Sequence, residues 1–505
     1  MSSQCTELVY GLDDRPPVVR ALVLAAQHVL TMFGSTVAVP LFFGAQLWPV
    51  PAELPEVVQA QLSALQLSNT ALLISSVMLC SGVATLLQST WGSRLPIIQG
   101  VSFSFWAAFV SIVAATHTAA PVDWTAVAAG DTSDTTLGPL LDQWQSAGAL
   151  GMRTIAGAVL AGGLMEAMVG FTKLMGLIRR VLSPVVVGPV IMLIGLALYQ
   201  FGAPFAAGNW YASGATILLV VLFALVFARR ARLLQLFPML SAIVLVVSSC
   251  WLLGKQGLIS ADNAANVDLS AFDSAEWLRT TNVFFPWGFP EWSLSALVAV
   301  LAGYLASMIE SFGDYHACKH MAGGGEPTED EISRGIGFEG VGCALTGVFG
   351  GFSSTSYSEN IGLVGLTKVG SRYVVQLAGL LLILLGLFGK FGALAAAIPK
   401  PVVGGLYCTM FGLISAVGVR QFAKADLNSN RNLFIGGFAL YMGLSVPFYF
   451  GAGGTGQADV AWMPEALRGV VVALGSTGMA VAAVLGILLD NLVPGTRWER
   501  GLDRD

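Results

Sequence analysis

Gly350-Gly-Phe-Ser-Ser-Thr355-Ser-Tyr-Ser-Glu359-Asn-Ile-Gly362 interrupts a chain that is otherwise a succession of apolar runs. It has too many glycines and small hydroxylated residues for an ordinary helix in lipid. It reads as extended chain leading into a short helix, with Glu359 in the first turns. Non-helical backbone at membrane depth is tolerated only where protein or a watery cavity surrounds it, because unpaired N–H and C=O groups are costly in hydrocarbon. An earlier stretch has the same character: Gly92-Ser-Arg-Leu-Pro96-Ile-Ile-Gln99-Gly100-Val-Ser102-Phe103-Ser104-Phe105. Backbone around Phe103 is then free to meet a ligand while the ring covers it, although a single Phe in a membrane protein is more often simple packing.

Around these two breaks, runs of the length needed to span a bilayer, about 20 apolar residues, lie near 21–43, 69–88, 95–115, 154–172, 181–200, 212–228 and 232–253. A second set lies near 294–315, 336–350, 355–367, 374–397, 401–418, 432–450 and 469–490. The pattern predicts an all-α polytopic membrane protein of fourteen segments, with 336–350 and 355–367 too short to span alone. Only 11% of the 505 residues are charged, against roughly 25% in soluble domains. The polar start of the chain lacks the basic-then-apolar layout of a cleaved signal, so the first run is expected to be a true membrane segment.

With the N-terminus in the cytoplasm, roughly three quarters of the basic residues fall on the cytoplasmic side, among them Arg179, Arg180, Arg229, Arg230, Arg232 and Arg504. An odd number of segments would scramble that partition. Both termini are therefore expected to be cytoplasmic. The halves also echo one another. Pro184-Val-Val-Val-Gly188 matches Pro401-Val-Val-Gly-Gly405, and a Gly-Leu pair follows each at the same distance. Seven segments per half place the second copy upside down, a frequent transporter plan with substrate held at mid-membrane. Chance similarity in a chain rich in Gly and Val is the competing explanation.

Several ionisable residues sit where lipid should exclude them. Glu310 and Asp314, in Ala306-Ser-Met-Ile-Glu310-Ser-Phe-Gly-Asp314, lie one helical turn apart and share a face. A carboxylate in hydrocarbon costs about 2.5–3.5 kcal/mol by insertion scales and implies a cavity and a partner. Asp314 fits equally well as a helix end at the surface. Glu359 at a helix start is favoured as an anion by the dipole, and can accept N–H donors from a planar heterocycle; Asn360 beside it can both donate and accept. His28, next to Gln27, is the one histidine inside an apolar run, and suits a proton relay, a carboxylate holder or a structural bond between helices.

Other classes are disfavoured. A net charge of −5 without a basic block argues against nucleic acid. The six cysteines have no C-x-x-C spacing, no metal-binding histidine pair lies in a span, and no phosphate loop precedes a lysine. No nucleophile–base pair suggests an enzyme. The expectation is a carrier without cofactor or resident metal, driven by an ion gradient.

Together, Gln27-His28, Ser102-Phe103, Glu310-Ser-Phe-Gly-Asp314 and Glu359-Asn-Ile-Gly362 with Thr367 resemble the nucleobase–ascorbate transporter family, also called nucleobase:cation symporter-2, over residues 20–490. The resemblance implies two inverted repeats, 21–253 and 294–490, joined by an outer loop at 254–293 and flanked by cytoplasmic tails at 1–20 and 491–505. It implies short antiparallel strands in segments 3 and 10, a core domain of segments 1–4 and 8–11, a gate domain of segments 5–7 and 12–14, and a homodimer in the plasma membrane (the inner membrane in a bacterium).

On that likeness Glu310, Glu359, Phe103, Ser102 and Ser358 hold the substrate, and His28, Asp314, Asn360, Gln27 and Thr355 couple the cation or organise the site, with His28 near Glu359. Ascorbate carriers of the family have proline where this chain has Glu359, so a nucleobase is expected: uracil slightly ahead of xanthine or urate, imported with a proton. Sodium-coupled transport of ascorbate or a purine is the alternative. An anion exchanger or a channel of similar architecture is a further one.

Overall fold

The computed structural model describes residues 8–176, 181–196, 199–227, 237–260, 263–450 and 454–502. Arg179, Arg180, Arg229, Arg230, Arg232 and Arg504, part of the basic face read from sequence, lie outside the described residues.

Helices α1 (Val18–Leu47) and α2 (Glu56–Thr90) each start directly after a proline, Pro17 and Pro55. The chain then turns through strand β1 (Gln99–Val101) and a single tight turn, Phe103–Phe105, into α3 (Trp106–Ala119). The first half continues with α4 (Asp134–Phe171), α5 (Pro184–Leu196), α6 (Tyr199–Ala207), α7 (Trp210–Val221) and α8 (Pro238–Lys255). The second half opens with α9 (Leu294–Met321), α10 (Glu329–Phe349), strand β2 (Ser354–Ser356) and α11 (Ser358–Thr367). It ends with α12 (Arg372–Leu387), α13 (Gly389–Ala396), α14 (Lys400–Phe422), α15 (Asn430–Phe450), α16 (Glu465–Ser476) and α17 (Gly478–Leu492).

Among the described residues, eight helices are long and apolar enough to cross a membrane. A ninth span results if α16 and α17, bent by 94° at their junction, count together. This is an all-α polytopic membrane fold with one small antiparallel sheet. The segment read as 336–350 is longer than that run: α10 has 21 residues, but it is not among the helices apolar enough to cross. Its first turn, Glu329-Asp330-Glu331, is too polar to register as membrane helix. Yet that turn is what starts it, through a reciprocal cap between Thr328 and Glu331. The run 374–397 divides into α12 and α13, and α4 begins twenty residues before the apolar run at 154–172.

Glycines set how closely these helices approach, since lipid supplies no hydrophobic drive between them. Helices α4 and α10 meet at a seam where a Cβ on Gly340 would lie 2.3 Å from the Ala167 N, and one on Gly163 2.6 Å from the Ala344 N. The two helices that open on the matching Pro-Val-Val stretches, α5 and α14, also pack together. There a Cβ on Gly195 would strike the Phe411 carbonyl at 2.2 Å and one on Gly418 the Met192 N at 2.4 Å.

Strands β1 and β2 cross antiparallel between these layers, pairing Gln99 with Ser356, Gly100 with Thr355 and Val101 with Ser354. Ser102 N–H donates to the Ser353 carbonyl at 2.9 Å and Tyr357 N–H to the Ile98 carbonyl at 3.0 Å, extending the ladder at both ends. The broken segments thus satisfy each other's backbone, 255 or so residues apart, where no single helix could.

Candidate substrate site

The short strands deliver two short helical starts, α3 and α11, to the side of α9. On α9, Ser307 and Ser311 meet β2, and Asp314 meets α11. Ser358, the first residue of α11, donates its hydroxyl to Asp314 Oδ1 at 2.8 Å. Ser35 of α1 donates to Glu359 Oε1 at 3.4 Å. Glu310 and Glu359 are near enough to repel one another. Ser358 and Glu359 are exposed and Glu310 is half-buried; Gly313 and Gly362 have open space beside them. This open face between α9 and α11 is the candidate recess for a substrate. None of the ion pairs among the described residues brings a lysine or arginine to these carboxyls.

Phe103 stands half-buried at the recess, stacked on Trp106 with ring centres 5.8 Å apart and meeting Phe411 of α14 edge-on at 6.4 Å. It links the end of the sheet to α14. Ser102, by contrast, is buried and engaged locally: its hydroxyl accepts from Ser104 N–H at 3.3 Å. Thr355 likewise faces inward, toward Glu339, at 3.3 Å from Oε1. His28 does not pair with Glu359, as the family likeness implied. Asn360 donates to the His28 carbonyl at 2.9 Å and lies 3.2 Å from its Nδ1. The reason is register: Asn360, one position further around α11, reaches His28 of α1, while Glu359 meets Ser35 of the same helix. Gln27 Oε1, Asp314 Oδ2 and Asn360 Oδ1 are buried and without a hydrogen-bond partner.

Sequence reading passed over two carboxyls, Glu166 of α4 and Glu339 of α10. Glu339 is buried beneath the recess. Ser307, Ser311 and Thr355 donate hydroxyls to its Oε1 at 3.1, 2.7 and 3.3 Å, and Tyr315 donates to Oε2 at 2.7 Å. Ser311 also reaches Ser356 Oγ at 3.1 Å, tying this fan to β2. The signal that singled out Glu310, a carboxyl in an apolar run, was present at both positions. At Glu339 it was diluted by the surrounding glycines and the polar start of α10.

A family model described as the Permease family matches residues 19–452. Solute carrier family 23 member 1 of Mus musculus is 34% identical over 531 aligned positions, covering 98% of this chain and 82% of that protein. Nucleobase-ascorbate transporter 12 of Arabidopsis thaliana is 30% identical, covering 98% and 71%. Among solved structures, the murine Slc26a9 anion transporter in its inward-facing state matches with a TM-score of 0.55 at 11% identity, over 95% of this chain and 69% of that one. The transmembrane domain of the cyanobacterial bicarbonate transporter BicA matches at 0.50 and 13%, over 95% and 99%. At such identities these two likenesses speak for the fold alone.

Proposed function

This chain belongs to the nucleobase–ascorbate transporter family, and we propose from that premise that it imports a purine nucleobase together with a cation. It is a secondary active solute carrier of the membrane and not an enzyme. The observation that carries the reading is the pair Glu310 and Glu359 at one recess without a counter-cation. A neutral oxopurine presents ring N–H groups to such acceptors. A site of unpaired carboxylates then rejects analogues that lack those donors.

The similarity to solute carrier family 23 and to plant carriers named for nucleobase and ascorbate supports the alternative substrates, a purine or ascorbate, over uracil. For sodium, the support is the set of unpartnered oxygens on Gln27, Asp314 and Asn360. Asp314 bonds Ser358 and Asn360 bonds His28, the neighbour in sequence of Gln27, and oxygen donors are what a hard cation takes. Ascorbate is the second reading, favoured by the names of the plant relatives.

In this proposal both termini are cytoplasmic. Helices α1–α4 and α9–α13 form a core that moves against a gate of α5–α8 and α14–α17, in a homodimer of the plasma membrane. Uptake of radiolabelled xanthine, uracil and ascorbate into proteoliposomes, with sodium or choline outside and the pH varied, tests it. Saturable, sodium-dependent xanthine uptake is expected. Transport of ascorbate but no nucleobase overturns the substrate, and uptake indifferent to sodium overturns the ion.

A further inference from the structure

Behind the recess, at the seam between α4 and α10, lies a second pair of carboxyls with opposite surroundings. Glu339 receives hydroxyl donors from Ser307, Ser311, Thr355 and Tyr315. Glu166, 1% exposed, has no hydrogen-bond partner on either oxygen. Glu166 lies beside Glu339 and Cys343 of α10, and near Tyr304 and Tyr315 of α9. None of these neighbours is a cation, and the nearest donor is the weak thiol of Cys343, which is engaged elsewhere. The Cys343 S–H goes to the Ser354 carbonyl at 3.1 Å. The Tyr304 hydroxyl goes to the Val159 carbonyl at 2.8 Å, and the Tyr315 hydroxyl to Glu339. The one ionisable side chain of α3, His117, sits at that helix's far end against the Gln46 carbonyl. The close approach of α4 and α10 at Gly163, Gly170, Gly337 and Gly340 buries the pair.

An ionised carboxylate with no donor, no cation and a second carboxylate alongside is the least tenable state in such a place. Four hydroxyl donors make Glu339 the member that carries the charge. We propose that Glu166 and Glu339 form a proton-binding site of the carrier, apart from the substrate recess, in which Glu166 holds the proton as a neutral acid and Glu339 holds the negative charge. Only one bond changes when the site titrates: the O–H of Glu166 forms with a proton taken from water and breaks by returning it. Glu339 shares its hydroxyl fan with β2 and with the α9 face that carries Glu310. Loss of the Glu166 proton therefore drives α4 from α10 and disturbs the recess. Proton occupancy here makes uptake depend on pH even if sodium supplies the driving force.

The pH dependence rests on the transport reading given above; the location of the proton does not. Infrared spectra of the purified full chain, parent minus Glu166→Gln, should show a protonated-carboxyl C=O band present in the parent at neutral pH and absent in the variant. This needs no substrate, so it decides the proposal even if no nucleobase is carried. Its absence from the difference spectrum overturns the proposal. In proteoliposomes the parent should lose uptake as the pH rises through the Glu166 titration, while E166Q, permanently neutral, should lose that alkaline limb. An unchanged limb overturns the coupling to transport. A neutral side chain at 166 should also preserve the fold, so failure of both E166Q and Glu166→Met to give folded carrier counts against the proposal.

Discussion

The Ser358 hydroxyl donates to Asp314 Oδ1 at 2.8 Å, joining the first residue of α11 to the last turns of α9. The bond fixes the short helix that presents Glu359 to the helix that presents Glu310. The other Asp314 oxygen has no partner. Removing Ser358 therefore leaves a buried carboxyl without any donor.

Ser358→Ala should lower stability by about 1.5–3 kcal/mol, the range for hydrogen bonds to charged groups, and weaken substrate binding by misplacing Glu359. Thermal unfolding in detergent together with KM for uptake checks this. Unchanged values for both would show that the bond is incidental.

Glu310→Gln and Glu359→Gln each exchange one acceptor oxygen for a donor amide while keeping the shape. Each should cost about 2 kcal/mol of substrate binding, roughly 30-fold in Kd, with the melting temperature preserved. Titration of binding to purified protein measures it, and retention of parental affinity by either variant removes that residue from the site.

Gly340→Val should overpack the α4–α10 seam, where an added Cβ would lie 2.3 Å from the Ala167 N; about 1–3 kcal/mol of destabilisation is expected. Gly412→Ala, in α14 with nothing within 4 Å, should stay within about 0.5 kcal/mol of the parent. Comparing the two melting temperatures tests whether the seam, rather than helix propensity, sets the requirement for glycine.

Asp490, near the end of α17, is buried and accepts from Arg431 at 2.9 Å and from Arg500 at 2.7 and 3.0 Å. Asp490→Ala leaves two guanidinium groups facing each other without an anion. A loss of about 3–5 kcal/mol is expected. Unfolding curves that shift by less than the equivalent of about 1 kcal/mol would place the network among weak surface pairs.

Outside the membrane, the hydroxyls of Ser133 and Thr136 and the Ser133 N–H hold the Asp131 carboxyl below its ordinary value of 3.8. A depressed carboxyl stabilises the folded turn above its unfolded value and ceases to do so as the pH falls through the lower, folded one. Hydrogen exchange at the Ser133 amide should accordingly lose protection below about pH 3.8, relative to an unstructured reference peptide, and keep it at neutral pH.

Sequence by itself determined the membrane-spanning class, the two broken segments around Ser102 and Glu359, and the presence of Glu310 in a place that demands a cavity. Each rests on a local cost: apolar length must match the bilayer, and unpaired backbone or charge is penalised wherever it occurs along the chain. Tertiary structure alone decided which groups meet those costs. That β1 closes against β2, that Asn360 takes His28 and leaves Glu359 to the recess, and that Glu339 gathers four hydroxyls while Glu166 gathers none depend on contacts up to 332 residues apart. A hydrogen bond is set by distance and direction in space, which spacing along a chain does not encode once helices are free to pack in more than one way.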